Sequence, residues 1–275
     1  MSGLYITESF INKENHKAFV IRRVARIYPG LIICVLITVF IIGPLFTVLP
    51  LKAYFNARDT WTYLMCNSTT YRIKFFLPGI FLHNYSGTAV NGSLWTLSLE
   101  IRCYFLIFIA GMLNLFKYKP VLIAVYLIIL IAFLTNSRYS IFLNAKPAMF
   151  FMFGSLAYLF RKSLPVNLQA AVILWIVCFL VHKTIFYIPV CYMSIIYTAM
   201  VSGASNLVKK LKLPGDYSYG IYIYGFLLQQ IVAFYLPNIS SYASLLISVP
   251  ASIMMGAASW HLIEFRMIKL SKRIK

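Results

Sequence analysis

Residues 27–48 read IYPGLIICVLITVFIIGPLFTV, a run without a single charged side chain. An α-helix needs about 20 apolar residues to cross the hydrocarbon core of a bilayer, so this run predicts a transmembrane helix. Further apolar stretches occupy residues 94–115, 120–135, 147–160, 168–183, 187–204, 217–236 and 243–263. The sequence therefore predicts an all-α fold, a polytopic transmembrane helix bundle with about eight complete spans.

The composition supports lipid as the solvent of this chain. Hydrophobic residues make up 61% of the sequence and charged residues 11%, with a mean hydropathy of +0.81. A chain of 275 residues cannot cover so much apolar surface with a soluble exterior. No internal repeat or flexible linker divides it, and we predict a single transmembrane domain over residues 1–275 with membrane lipid as a partner.

The basic residues predict the orientation of the chain. Segments 1–26, 116–119, 161–167, 205–216 and 264–275 together hold 17 of its Lys and Arg residues. Because basic loops stay in the cytoplasm, both termini are predicted to be cytoplasmic, and the loops 49–93, 136–146, 184–186 and 237–242 to lie outside. The net charge of +19 thus follows from topology and anionic lipid, and no nucleic-acid partner is expected.

The histidines and cysteines do not predict a particular reaction or ligand. The spacing of the five cysteines predicts neither a disulfide framework nor a metal site. His16, His83, His182 and His261 all fall in loops or at span ends, so none is an obvious general base within the membrane. From the residues alone, the reaction remains unnamed.

A basic motif, FVIRRVARIYP at 19–29, precedes the first predicted span and carries Arg22, Arg23 and Arg26. Arg23 and Arg26 share one helical face if this segment is helical. The guanidinium fork suits phosphate and pyrophosphate, which makes a nucleotide or coenzyme A a natural ligand. The alternative is that these arginines only anchor the helix on the cytoplasmic side.

A second motif, NGSLWTLSLE at 91–100, places Glu100 about two turns inside the second span. An unpaired ionisable group in the membrane is costly, so we expect Glu100 to face the bundle interior and to have a partner. Ser93 and Thr96 share its helical face. A functional role and a purely structural role both fit these residues.

A third motif, LPGDYSYGIYIYG at 213–225, begins another predicted span. Asp216 is predicted to cap the helix, and Gly220 and Gly225 to allow close helix packing. The closing helix ends WHLIE at 260–264, where His261 and Glu264 either bond to each other or serve as an interfacial anchor. The segment 49–93 is the longest irregular stretch, expected to cover a substrate path or to re-enter the membrane.

Together these motifs resemble the acyltransferase-3 family of membrane O-acyltransferases. Residues 19–29 resemble the family's F-x-x-R-R-x-x-R-I-x-P element, and residues 91–100 are similar to G-S-L-W-x-L-x-x-E. Residues 215–222 are similar to G-D-x-S-Y-x-I-Y. The resemblance implies an acyltransferase of the bacterial inner (cytoplasmic) membrane that moves an acetyl group from acetyl-CoA to a cell-surface or lipid-linked polysaccharide.

The resemblance also implies roles for particular residues. Arg22, Arg23 and Arg26 would bind the acyl donor. Glu100 would be catalytic, lining the transfer path or orienting the acceptor. The substrate path would include Ser93, Trp95, Asp216 and Tyr219. No metal or permanently bound cofactor is expected.

The first residues, MSGLYIT, resemble the end of the family's second helix. The resemblance therefore implies that the chain begins late and lacks the helix that carries the family's proposed histidine base. An inactive truncated remnant is accordingly one alternative to an active enzyme. A polysaccharide transporter or flippase would also have many spans and basic inner loops. Inverted repeats or paired intramembrane charges would favour transport, and the sequence shows neither. A structural membrane scaffold would leave the three ordered motifs unexplained.

Overall fold

The computed structural model describes residues 2–12, 15–85, 87–135, 145–163, 166–205 and 214–273. Over these residues the regular structure is helical, which confirms the all-α prediction. The chain order is α1 Ser2–Ile11, α2 His16–Ile37, a π-helical turn Thr38–Ile42, α3 Gly43–Phe46, α4 Leu51–Asn56, α5 Arg58–Thr69, α6 Trp95–Met112, a 3-10 turn Leu115–Lys117, α7 Lys119–Thr135, α8 Ala145–Leu159, α9 Leu168–Leu180, α10 Tyr187–Ala204, α11 Ser218–Tyr235, α12 Ser241–Ser259, a π-helical turn Trp260–Glu264 and α13 Phe265–Ser271.

Each predicted span coincides with a helix of the structure, and the prediction for 187–204 has the bounds of α10. Within the described residues, four helical stretches are long and apolar enough to cross a membrane: His16–Phe46, Trp95–Met112, Tyr187–Ala204 and Ser241–Ser271. Three of the other helices are apolar over shorter lengths, at Lys119–Ile128, Met149–Leu159 and Leu168–Leu180. The molecule is thus an all-α membrane helical protein.

The predicted irregular stretch 49–93 was wrong in part, because its first half contains α4 and α5. Hydropathy did not predict helix α5, because the helix has no apolar run and buries only Thr60, Tyr63 and Asn67. The predicted outside loop 136–146 and the predicted basic segment 205–216 fall largely outside the described residues.

The chain divides into two compact units. The first unit takes residues 1–16 and 99–212. Within it α1 packs closely on α8, because a side chain at Gly3 would meet the carbonyl oxygen of Phe151 at 1.9 Å. The hydroxyls of Thr7 and Ser155 lie 2.8 Å apart across the same contact. Helices associate in lipid through close packing at small residues and through interhelical hydrogen bonds, because the hydrophobic driving force is absent there.

The second unit takes residues 17–98 and 213–275, and its main helix pair is α11 with α12. The two backbones meet at Gly220, where an added Cβ would lie 2.7 Å from the Cα of Gly256. This confirms the predicted close packing at Gly220. At Gly225 an added Cβ would be 3.7 Å from Ser252, an ordinary contact. One face of α12 accordingly consists of buried small residues: Ser244, Ser248, Ser252, Gly256 and Ser259.

In the second unit, the irregular segment between α5 and α6 lies beside α11. The amide of Asn84 donates to the carbonyl of Gln230 at 2.9 Å, and the amide of Asn91 donates to the carbonyl of Ile223 at 2.8 Å. The Gln230 amide returns a bond to the carbonyl of Gly87 at 3.2 Å. The first two bonds tie the irregular segment to α11, and the third satisfies a non-helical carbonyl, as backbone without helical hydrogen bonds requires inside a membrane protein. Whether the segment re-enters the membrane stays a prediction.

Candidate functional site

Arg26 lies at the centre of a charged cluster in the second unit. Its Nη2 is 2.6 Å from Oδ2 of Asp216, and its Nη1 is 3.6 Å from Oε2 of Glu264. The guanidinium also lies over the rings of Tyr219 and Trp260, with ring centroids 5.8 and 5.6 Å away. We call these five residues the Arg26 cluster. It joins the first and third sequence motifs to the closing helix.

Two glycines allow the helices to meet at this cluster. An added Cβ at Gly30 would lie 2.9 Å from the ring of Tyr219. An added Cβ at Gly215 would lie 2.4 Å from the indole nitrogen of Trp260. The hydroxyl of Tyr219 donates to the carbonyl of Ile27 at 2.6 Å, which fixes α11 against α2. Tyr219, predicted to line the substrate path, is therefore buried in a structural contact.

The predicted cap by Asp216 was wrong. Helix α11 begins after Tyr217, and no side chain caps it. Asp216 instead accepts a hydrogen bond from the hydroxyl of Ser218 at 2.5 Å and pairs with Arg26. An ion pair with a distant helix replaces the local cap, and spacing along the sequence could not reveal it.

Glu264 is a buried carboxylate whose partners the sequence did not predict. It is 1% exposed and accepts a hydrogen bond from the hydroxyl of Ser259 at 2.8 Å in addition to pairing with Arg26. Of the two alternatives for His261, the bond to Glu264 is not formed, and Nε2 of His261 lies 3.0 Å from the hydroxyl of Tyr217. The position of Glu264 in an apolar helix could have indicated a buried ion pair, since an ionisable group there requires a partner.

The π-helical turn Trp260–Glu264 makes the Ser259 contact possible. Residues five apart do not face each other on an α-helix, because each residue turns the helix by about 100°. The wider π turn inserts one residue and brings the two side chains together. Such turns occur frequently at functional sites.

A second polar group, also in the second unit, contains Asn91, Ser93, Thr96 and Tyr222. Asn91 is fully buried, and its Oδ1 accepts a hydrogen bond from the hydroxyl of Ser93 at 2.7 Å. The Tyr222 hydroxyl donates to the carbonyl oxygen of Ser93 and is also hydrogen-bonded to the hydroxyl of Thr96. The second and third motifs therefore meet here. Trp95, also predicted for the substrate path, is partly exposed at the start of α6.

Glu100 belongs to the first unit. Its Oε1 accepts a hydrogen bond from the hydroxyl of Ser2 at 3.0 Å and another from the hydroxyl of Tyr104. The expected partners therefore exist, and those among the described residues are neutral hydroxyls. Glu100 is partly exposed.

The other two motif arginines differ from Arg26. The guanidinium carbon of Arg23 lies 5.9 Å from the ring centre of Phe19. The Nε of Arg22 is buried and has no hydrogen-bond partner among the described residues. A buried donor of this kind is costly unless a ligand completes it.

Fold and site together define an all-α membrane protein with two polar groups at the meeting points of its motifs. The chain is similar to a protein named O-acetyl transferase from Shigella phage Sf6. The two are 28% identical over 285 residues, covering 98% of this chain and 83% of that relative. This similarity supports an O-acetylating enzyme that transfers acyl groups.

No family model matches the chain, so the resemblance to the acyltransferase-3 family stays a prediction. No solved structure matches it either.

Proposed function

We propose that this protein is a membrane O-acetyltransferase of the bacterial cytoplasmic membrane, with both termini in the cytoplasm. It would transfer an acetyl group from acetyl-CoA to a hydroxyl of a cell-surface or lipid-linked polysaccharide. The observation that carries the proposal is the similarity to the phage O-acetyl transferase along nearly the whole chain. The meeting of the three motifs within the second unit adds support, because motif residues far apart in sequence become neighbours.

The motif arginines are proposed to bind the phosphates of the donor, with different contributions. Arg22 offers a buried Nε without a partner among the described residues, which favours an anionic ligand there. Arg23 would contribute a second guanidinium from the same helix. Arg26 already faces two carboxylates, so its main contribution would be to hold α2, α11 and the closing helix in place.

Glu100 is proposed as the base. Its carboxylate would accept the proton of the acceptor hydroxyl while that oxygen attacks the thioester carbonyl. The carbon–sulfur bond then breaks, and coenzyme A leaves as its thiol once protonated. The hydroxyls of Ser2 and Tyr104 would orient the carboxylate, since both donate to Oε1. Ser93 and Trp95 are proposed to line the acceptor path, and Asp216 and Tyr219 to support it by positioning Arg26.

Expression of the chain in a bacterium whose surface polysaccharide lacks O-acetyl groups tests the proposal. We expect alkali-labile acetate in the purified polysaccharide, and none with an empty vector. Glu100→Gln should reduce this acetate by about a hundredfold or more, the usual range for loss of a general base. Asp59→Asn is the matched control, because it makes the same carboxyl-to-amide change on the exposed surface of α5.

Two results would contradict these proposals. Full acetylation by Glu100→Gln would remove the proposed base. No acetate above the empty vector, from protein that is present in the membrane at normal levels, would contradict the activity on that polysaccharide.

A further inference from the structure

The first unit contains a cavity of about 580 Å³ lined by basic side chains. Lys117 lines it from the 3-10 turn and Lys119 from the start of α7, while Arg161 and Lys162 line it from the turn that follows α8. We call it the basic cavity. Its volume lies within the range of ordinary small-ligand sites. None of the residues described for its wall is acidic.

Aromatic rings rather than carboxylates hold two of these cations. The guanidinium of Arg161 lies 3.9 Å from the ring centre of Tyr158, and its Nη1 donates to the carbonyl of the same residue at 3.0 Å. The ammonium of Lys119 lies 5.1 Å from the ring centre of Phe160. Among the described residues, no carboxylate is within ion-pairing distance of the four cations. Within the part of the chain that the structure describes, the positive charge of the cavity is thus not balanced, which favours an anionic ligand.

One wall of the cavity is aromatic. The rings of Phe10 and His16 stack at 5.2 Å with an angle of 18°, and the ring of Phe116 lies 6.0 Å from Phe10. Gly111 makes room for this wall, because an added Cβ there would lie 1.8 Å from the ring of Phe10. The wall is thus built by the packing of α1 against the end of α6.

An apolar cavity of about 360 Å³ adjoins the basic cavity and shares Phe116 and Leu159 with it. Its wall is almost wholly apolar and includes Leu106, Ile107 and Leu156. The amides of a pantetheine arm would find no hydrogen-bond partners in such a space, whereas a hydrocarbon chain has no polar group that needs one.

We infer that the two cavities bind an amphiphilic phosphate, a lipid whose phosphate head group contacts Lys117, Lys119, Arg161 and Lys162 and whose chain enters the apolar cavity. Phosphate is the anion that Arg and Lys recognise best in proteins, and basic pockets between transmembrane helices suit lipid head groups. Coenzyme A offers the same phosphate chemistry, but it has no hydrocarbon chain to fill the apolar cavity. The inference does not depend on the proposed acetyl transfer.

Binding to the whole 275-residue chain in neutral detergent tests the inference. The probes are dioleoyl phosphatidic acid, dioleoyl phosphatidylcholine, glycerol 3-phosphate and coenzyme A, each measured by native mass spectrometry and by competition with a fluorescent phosphatidic acid. We expect phosphatidic acid to bind most tightly. The double variant Lys117→Ala/Lys162→Ala should weaken it by about tenfold or more, since each cation near a lipid surface contributes about fivefold.

The matched control is Lys52→Ala/Lys183→Ala, which removes two exposed cations that line neither cavity. A second variant, Leu156→Trp, fills the apolar cavity and should weaken phosphatidic acid while leaving glycerol 3-phosphate unaffected. Arg161→Lys keeps the charge and should retain most of the binding. The elution volume in size-exclusion chromatography shows that each variant is folded.

Two results would overturn the inference. Equal weakening by the cavity and control double variants would mean that total charge, not this cavity, binds the lipid. Coenzyme A binding as tightly as phosphatidic acid, with Leu156→Trp harmless to both, would assign the basic cavity to a soluble phosphate.

Discussion

The Arg26 cluster and the basic cavity use positive charge in opposite ways. In the cluster one guanidinium faces two carboxylates, and one of these, Glu264, is almost completely buried. In the cavity four cations have no described carboxylate within ion-pairing distance. The motif arginine thus stabilises the protein, while loop residues that the sequence assigned to topology form a binding surface. A basic residue in a membrane protein cannot be assigned a role until its partners are known.

The largest expected effect comes from removing the guanidinium of the cluster. Arg26→Ala leaves the buried Glu264 without its cation, and breaking a buried pair in this way costs about 3–5 kcal/mol. We expect a strongly lowered thermal unfolding temperature, measured by fluorescence-detected size-exclusion chromatography. The control Arg58→Ala removes an exposed arginine of α5 and should unfold like the parent. The double variant Arg26→Ala/Glu264→Gln should recover much of the lost unfolding temperature, because it removes the unpaired buried charge. Equal unfolding temperatures for Arg26→Ala and Arg58→Ala would contradict the stabilising role of the Arg26 cluster.

Asp216→Asn should have a much smaller effect. The Asp216 side chain is 53% exposed against 1% for Glu264, so water already screens its pair with Arg26. Pairs of this kind contribute about 0–1 kcal/mol, and the contribution falls with salt. Unfolding temperatures at low and high ionic strength measure it. A loss as large as that of Arg26→Ala would mean that Asp216, not Glu264, is the main partner.

The smallest effect on stability is expected in the basic cavity. Lys117→Ala/Lys162→Ala removes two like charges that no described carboxylate balances, so the unfolding temperature should stay the same or rise slightly. The same purified samples serve for the lipid-binding measurement. A clear drop in unfolding temperature would show that these lysines stabilise the fold, and the contrast with Arg26 would disappear.

Local patterns predicted the helices well and their contacts poorly. A long apolar run identifies its own helix, which is why the prediction for 187–204 agrees with α10 residue for residue. Helix α5 was missed because it packs through a few polar side chains and presents no apolar run. Asp216 was misassigned because its partner Arg26 lies 190 residues away in sequence. The basic cavity was missed because residues near 10, 111, 117 and 161 meet only in the folded chain.

The π-helical turn at Trp260–Glu264 has a consequence for how this gene tolerates small changes in length. The turn holds one residue more than an α-helical turn and thereby sets the rotational phase of Glu264 relative to Ser259. Loss of one codon within 260–263 would leave a regular α-helix in which Ser259 and the carboxylate are four residues apart and therefore still on one face. The carboxylate would still point toward Arg26. The segment should therefore tolerate a single-codon deletion, whereas a single-codon insertion would rotate everything beyond it by about 100°.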